Sequence, residues 1–293
     1  MYNIEQLRMF VEAVEQGSFS ASARKLGKVQ SAVSQGISNL EIDLNLQLFD
    51  RSTRKPTLTG QGRQLFKQAK AIVLQVEELN ASVESIANGD EEMIRLAIDD
   101  ALMVKSLPVI LHQFATEFPA TEIELISTAS MDVIECLIAD QADIGIMFTE
   151  MNFHQDIHPC FIGHLPFKAV CHPEHPLAAL AGVSLTDAIK YRQFLLRGSQ
   201  GGTLPQFPVL ASKVWWTNSF ASIKHTLCHG NLGWAYLPVH LVETAIQDGQ
   251  LVQLNVAIDH KTWSPPVDVV TLKRSGKGPA ILWLEDNLKR LLD

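Results

Sequence analysis

The 293 residues are 46% hydrophobic and 19% charged, which suits about two soluble globular domains. No apolar run reaches the roughly 18 residues that a spanning helix needs, and MYNIEQLRMF lacks the basic-then-apolar order of a secretory leader. Four scattered cysteines exclude a disulfide scaffold, so a reducing, cytoplasmic setting and no membrane contact are expected. The net charge of −8 opposes a nucleic-acid partner, but its distribution favours one. Residues 1–67 hold nine Lys/Arg against six Asp/Glu, leaving fifteen against twenty-six in the remainder. A basic module on an acidic body is the pattern of a chain whose one end meets phosphate.

In chain order, Asn3 and Gln6 read as a capping pair that opens a helix with Leu7, Phe10, Val11 and Val14 on its inner face and Gly17 at its end. Ser18 caps a second short helix, with Ala21, Ala23 and Leu26 as a compact face. Gly27 and Lys28 break it. A third helix begins near Val29 or Gln30, and Val33, Ile37, Leu40 and Leu44 form its apolar stripe. Val29 is a poor cap for that helix. Its opposite face carries Gln30, Ser31, Ser34, Gln35 and Ser38, with no acid before Glu41. A small, uncharged face rich in donors and acceptors suits base edges in a major groove, with Gln30 and Gln35 able to pair bidentately with adenine. Two short helices and a tight turn of this kind are a helix-turn-helix.

The following LQLFDRSTRKPTLTGQG places Arg51, Arg54 and Lys55 between apolar anchors and a short strand at Thr57 and Leu58. It reads as a basic hairpin whose cations reach flanking phosphates or a minor groove. An ion pair of Arg51 with Asp50 or a neighbour is the structural alternative. Thr59 caps a long helix over about residues 60–88. Ala69, Ile72, Val76, Leu79, Val83 and Ile86 follow a three-four spacing, the seam of a coiled coil. Packing on its own domain competes with a role as dimerising linker, and the linker is favoured because two-fold operators need two readers at fixed spacing.

From Met93 onward strands alternate with helices. Strands are expected at 94–98, 122–127, 143–148, 167–171, 194–196, 233–238 and 267–272, and helices around 104–114, 133–138, 220–227, 241–246 and 279–292. This alternation predicts a parallel, doubly wound α/β architecture. No nucleophile elbow, no GxGxxG after a strand, no P-loop and no HExxH occurs, so catalysis is not expected. Cys171-His172-x-x-His175 and His225-x-x-Cys228-His229 do not match a zinc spacing, and no metal or cofactor is expected. A thiol switch would need an accessible, acidic cysteine.

The runs LRMFVEAVEQGSFSASARKL, QSAVSQGISNLE and LFDRSTRKPTLTGQG, with the weaker markers ADIGI, HPLA and GNLGWAYLP, resemble a LysR-type transcriptional regulator over nearly all of the chain. The resemblance implies a winged helix-turn-helix over residues 1–58, a linker helix over 59–89 and an effector domain over 90–293. That domain would be periplasmic-binding-protein-like, with one subdomain of about 90–164 and 267–293 and a second of about 165–266. A small-molecule cleft would lie between them. The resemblance also implies dimers through the linker helix, usually assembled into tetramers, and no catalysis. Two positions depart from the family: Val29, where Ser or Thr often caps the reading helix, and Asp140, where Gly usually precedes ADIGI.

Ligands of wound sheets sit beyond the carboxyl ends of strands. This rule picks Asp99, Asp100 and Ala101, then Ser127, Thr128 and Ser130, Phe148 and Thr149, Arg197, Ser199 and Gly201, and Asn218 and Ser219 at the mouth, with Asp99, Asp100, Ala101, Ser127, Thr128, Thr149, Arg197, Ser199 and Asn218 as candidate effector contacts. Hydroxyls and helix N-termini favour an anion and the two aspartates oppose one, so a small polar ligand, zwitterionic or cationic, is expected. The alternative for Asp99 or Asp100 is a helix cap.

Overall fold

The computed structural model describes residues 1–52, 56–150, 154–257, 259–273 and 276–293. The chain divides into two compact units, Met1–Ile86 and Ala87–Asp293.

The first unit begins with α1 (Ile4–Glu15), α2 (Phe19–Lys25) and α3 (Gln30–Leu44). Asn3 and Gln6 form a complete capping box on α1, and the Ser18 hydroxyl accepts from the Ala21 N–H at the start of α2. Val29 stands at the α3 N-cap in extended conformation and offers no side-chain bond. Val33, Ile37 and Leu40 are fully buried against Leu7, Phe10 and Val11 of α1. Burial of each such side chain contributes about 1.5–3 kcal/mol. On α2 the buried residues are Phe19, Ser22 and Ala23, whereas Ala21 and Leu26 are only half-buried. Phe19 is drawn inward by edge-to-face contact with Phe49, centroids 5.1 Å apart.

A two-stranded hairpin follows, β1 (Phe49–Asp50) antiparallel to β2 (Thr57–Leu58). Helix α4 runs from Gly60 to Asn88, and the Thr59 hydroxyl accepts from the Gly62 N–H, 2.9 Å, in its first turn. Ala69 and Val73 pack into the core of this unit, so the heptad spacing does not describe the first turns of α4. Beyond them the stripe faces outward: Leu79 is 61%, Val83 58% and Ile86 78% exposed.

The second unit contains two five-stranded sheets. The first is built from β3 (Met93–Ile98), β4 (Glu122–Ser127), β5 (Ile144–Phe148), β6 (Ile157–His164) and a late strand near the C-terminus. Helices α5 (Leu107–Glu117) and α6 (Ser130–Ile138) connect the parallel strands β3, β4 and β5. The second sheet holds β7 (Phe167–Cys171), β8 (Gln193–Leu196), β9 (Val214–Thr217), β10 (Trp234–Pro238) and β11 (Val252–Gln253), with helices α7 (Leu185–Ala188), α8 (Phe220–His229) and α9 (Val239–Gln247). The chain then returns as β12 (Pro266–Leu272) and ends in α10 (Pro279–Leu288).

The sheets are mixed and not wholly parallel. Their orders are β4-β3-β5-β12-β6 and β11-β7-β10-β8-β9. β12 runs antiparallel to both neighbours, and β7 runs antiparallel to β10 and β11. The cause is connectivity. A chain that leaves one sheet for the other and later returns enters each without a same-sheet crossover, and only such crossovers enforce parallel pairing. Pro159 is tolerated in β6 because that strand lies at the sheet edge, and Pro266 because it opens β12. The two crossing segments are paired: Leu165 N–H donates to Pro265 O, 3.1 Å, and Phe167 N–H to Trp263 O, 2.9 Å.

Asp140 ends α6 with φ +55, in the left-handed region. Arg95 holds this turn by donating to the Asp140 carbonyl and, at 2.9 Å, to the Asp143 carboxylate. Among the described residues, no helix is long and apolar enough to cross a membrane.

At Gly62, an added Cβ would lie 2.2 Å from the Leu48 carbonyl oxygen, a backbone atom with little room to move. Gly62→Ala is therefore expected to destabilise the first unit by about 1–3 kcal/mol, measured as a lowered urea midpoint with an unchanged slope.

Candidate nucleic-acid interface and ligand mouth

The polar face of α3 is built by the same spacing that buries its other side. Gln30, Ser31 and Gln35 are exposed, and Ser34 and Ser38 half-exposed. Local bonds orient several of them. The Ser20 hydroxyl donates to Gln30 Oε1, 2.9 Å, tying the polar face of α3 to α2. Gln35 Nε2 donates to Asn39 Oδ1, 2.8 Å, and the Ser38 hydroxyl donates to the Ser34 carbonyl. Gly36 lets α3 approach α1 closely, where Met9 Sδ fills the space a Cβ would take.

Glu41, the first acid after that face, is turned away from it. Its Oε1 accepts from the Leu48 and Phe49 N–H groups at 2.8 and 3.0 Å, and its Oε2 accepts from Arg51 at 2.8 Å. Arg51 also lies over the Phe19 ring, 5.7 Å from its centroid. Arg51 thus has the ion-pair partner considered as its structural alternative, with Glu41 in place of Asp50. Its side chain remains 40% exposed. Arg54 and Lys55 lie outside the described residues. Two basic residues of the α2 turn are also paired, Lys25 with Glu12 at 2.9 Å and Lys28 with Glu5 at 2.6 Å. The Lys28 ammonium holds the Glu5 carboxyl below the usual carboxylate range.

In the second unit, the carboxyl ends of β3, β4 and β5 face those of β8 and β9, and the residues there are engaged with one another. Asp99 is fully buried. Its carboxylate accepts from Ala101 N–H, 3.0 Å, from Ser130 N–H, 2.9 Å, and from the Ser130 hydroxyl, 2.6 Å. It caps the 3-10 turn at Asp100–Leu102 and ties it to the start of α6, so it does not face a ligand. Burial pushes its pKa up to about 7, against the opposing effect of those donors. Ala101 is fully buried as well.

Asp100 reaches across to α8. It accepts from the Ser219 hydroxyl, 2.6 Å, and from the Phe220 and Ala221 N–H groups, 3.1 and 3.0 Å. The helix N-terminus that a ligand anion would use carries the chain's own carboxylate. Two further links join the halves. Asp132, in the first turn of α6, accepts from the Ser199 N–H at 2.8–2.9 Å and from its hydroxyl at 3.2 Å. Gln206 Nε2 donates to the Thr149 carbonyl, 2.8 Å. Arg197 lies over the Trp216 ring, 4.0 Å from its centroid, and does not reach either aspartate. Ser127 and Asn218 are exposed, and Thr128 is half-buried with its N–H on the Ile98 carbonyl. The structure therefore brings Asp100, Thr149 and Ser199 into the contact between halves and leaves Ser127, Arg197 and Asn218 apart from it.

Asp132 and Gln206 were not among the sequence-derived contacts, whereas Ser219 was. Asp132 and Ser219 carry a weak signal, an acid and a hydroxyl at helix starts, but no local pattern pairs residues 67 or 119 positions apart. The histidine and cysteine clusters serve local structure. His175 Nδ1 accepts from the Leu177 N–H, and His229 Nδ1 meets the His225 carbonyl. Among the described residues, no group of His, Cys, Asp or Glu could hold a metal ion. Burial pushes the Cys171 thiol up to about 11 and that of Cys228 up as well, away from reactive thiolate.

Two family descriptions match the chain: "Bacterial regulatory helix-turn-helix protein, lysR family" over residues 4–63, and "LysR substrate binding domain" over residues 87–293. Among curated relatives, the HTH-type transcriptional regulator AceR of Acinetobacter baumannii is 31% identical over 291 residues, 98% of this chain and 96% of its own. Full-length BenM, at 22% identity, shares the fold with a TM-score of 0.54 over 99% of this chain and 96% of that one. CbnR in complex with its target DNA matches at 19% identity and a TM-score of 0.50, covering 99% of both chains.

The buried Asp99 carboxyl makes stability depend on pH. In the unfolded chain an aspartate loses its proton near pH 4, whereas in the fold it keeps it to about pH 7. Folding takes up a proton in that interval, so the contribution of this group is greatest at low pH and declines as pH rises from about 4 through 7. Replacing Asp99 by Asn should flatten the difference in melting temperature between pH 5.5 and pH 8, read by calorimetry.

Proposed function

Because this chain belongs to the LysR family of transcriptional regulators, we propose that it binds double-stranded DNA sequence-specifically as a paired reader, and that a small polar effector in the second unit tunes that binding. In this reading α3 enters the major groove. Gln30, Ser34 and Gln35 contact bases, Ser31 and Ser38 contact bases or phosphates, and Arg51, Arg54 and Lys55 serve the flanking backbone. The observation that carries it is the outward face of α3: it is uncharged, it is composed of amides and hydroxyls, and its nearest acid, Glu41, is neutralised by Arg51. Bidentate amides on a helix that fits the groove can tell one base pair from another.

Pairing is assigned to α4. Its stripe from Ile72 through Ile86 is apolar and water-facing in a single chain, and covering it with the same stripe of a second copy fixes two α3 helices at one spacing. Assembly into a tetramer and a cytoplasmic location accord with this role. The effector acts by favouring one arrangement of the two halves of the second unit over another, because only a difference in affinity between states shifts an equilibrium. The reading includes no catalytic step.

Two measurements test it. On duplex DNA from the region flanking its own gene, Gln35→Ala should weaken specific binding at least tenfold and leave bulk-DNA binding nearly unchanged, because one base contact is lost while phosphate contacts remain. Equal losses on both in a gel-shift titration exclude a reading role for this residue. The double variant Leu79→Asp with Val83→Asp should sediment as a monomer at micromolar concentration and lose operator affinity, whereas a dimer that survives both changes excludes α4 as the pairing element.

A further inference from the structure

Beside the two crossing segments lies a cavity of about 250 Å³, bounded by Pro205, Gln206, Tyr236, Asp259 and Trp263 among its lining residues. None of the sequence-derived effector contacts lines it. Two rings, Tyr236 and Trp263, form part of its wall, and Pro205, Pro208 and Leu210 make the rest of it apolar. The Tyr236 and Trp263 rings meet edge-to-face at 5.2 Å, and Trp263 is wedged in turn against Phe207 at 4.9 Å and Phe167 at 5.0 Å. Asp259 is the one acidic side chain among its described lining residues. One of its carboxylate oxygens accepts from the Tyr236 hydroxyl, 2.7 Å. Burial and this neighbouring carboxylate push the Tyr236 phenol up, so it remains a donor. The basic side chain nearest in sequence, Lys261, lines a neighbouring cavity of about 170 Å³, which shares only Asp259 and Trp263 with this one.

Aromatic faces carry negative potential and attract cations, most strongly where water is excluded. A carboxylate held by a tyrosine hydroxyl beside such faces repels anions and supplies a counter-ion. We propose that this cavity is the seat of a small organic monocation with a compact apolar body, an aryl- or alkylammonium, with Asp259 as counter-ion and the Tyr236 and Trp263 rings as its walls. The proposal names the effector class for the regulatory reading above and rests on that reading for its consequence. It also supplies a route. Trp263 belongs to a crossing segment, through the bond from Phe167 N–H to its carbonyl, and Gln206 carries the link to Thr149. A guest in the cavity therefore lies against both a crossing segment and a residue that bonds across the halves.

The test uses the full chain and three probes of similar size, benzyltrimethylammonium, benzyl alcohol and benzoate, followed by tryptophan fluorescence and thermal shift. Benzyltrimethylammonium should bind and raise the melting temperature. Asp259→Asn, which keeps an acceptor for Tyr236, should weaken the cation at least tenfold and leave benzyl alcohol unchanged, while Tyr236→Phe, which keeps the ring, should retain cation binding within about threefold. No saturable response to the cation at millimolar concentration, preference for benzoate, or an unchanged affinity in Asp259→Asn overturns the assignment. A gel shift separates this from failure of the regulatory reading. Operator binding without any cation binding overturns the pocket and leaves the reading intact. Cation binding that never alters operator affinity sustains the pocket and overturns effector tuning through it.

Discussion

A carboxylate from one half of the second unit sits on the helix N-terminus of the other half, and the geometry where the halves meet follows from that contact. The first N–H groups of α8 have no partners within their helix. Asp100 supplies one acceptor group for three donors there, two of them backbone. A charge at a helix N-terminus is worth about 0.3–2 kcal/mol depending on burial, and without it two backbone donors would need water. Asp99, the preceding residue, is directed the opposite way, into its own half, to hold the start of α6. Two consecutive aspartates thus fix α6 and α8 relative to the end of β3. Asp132 and Gln206 then add their bonds across the same mouth.

The first unit uses an acid to comparable effect. Glu41 accepts two backbone N–H groups at the approach to β1 and pairs with Arg51, so the end of α3 and the hairpin are set by one side chain. The negative charge beside the polar face of α3 is consumed in building the hairpin. What remains outward on α3 is hydrogen-bonding capacity without net charge. That property suits recognition of base edges better than bulk electrostatic attraction does.

Much of the first unit was legible because its signals are local. Asn3 with Gln6, Ser18, the stripe of Val33, Ile37 and Leu40, and even the missing cap at Val29 are statements about residues within one or two turns of each other. The alternation of strands and helices in the second unit was legible for the same reason. Pairing direction was not. Ile157–His164 lacks a clean alternation and contains Pro159, and the short Val214–Thr217 has two adjacent tryptophans on opposite faces. β12 gives no local indication that it inserts antiparallel between β5 and β6. The mouth residues were found by rule, as strand ends, but their partners are set by tertiary approach. Whether Asp100 faces a ligand or a helix depends on where Ser219 lies, and that is decided by the whole of the second sheet.

The turn after α6 affects the unfolded chain as well as the folded one. Asp140 occupies a left-handed conformation that glycine adopts without steric cost. A glycine there would relax the turn, but it would also enlarge the conformational freedom of the denatured ensemble and so raise the entropy lost on folding. Aspartate has the opposite balance: some strain in the native turn and a stiffer chain before folding, with the backbone carbonyl still available to Arg95. The two contributions have opposite sign, and the bonds from Arg95 hold the turn in this conformation.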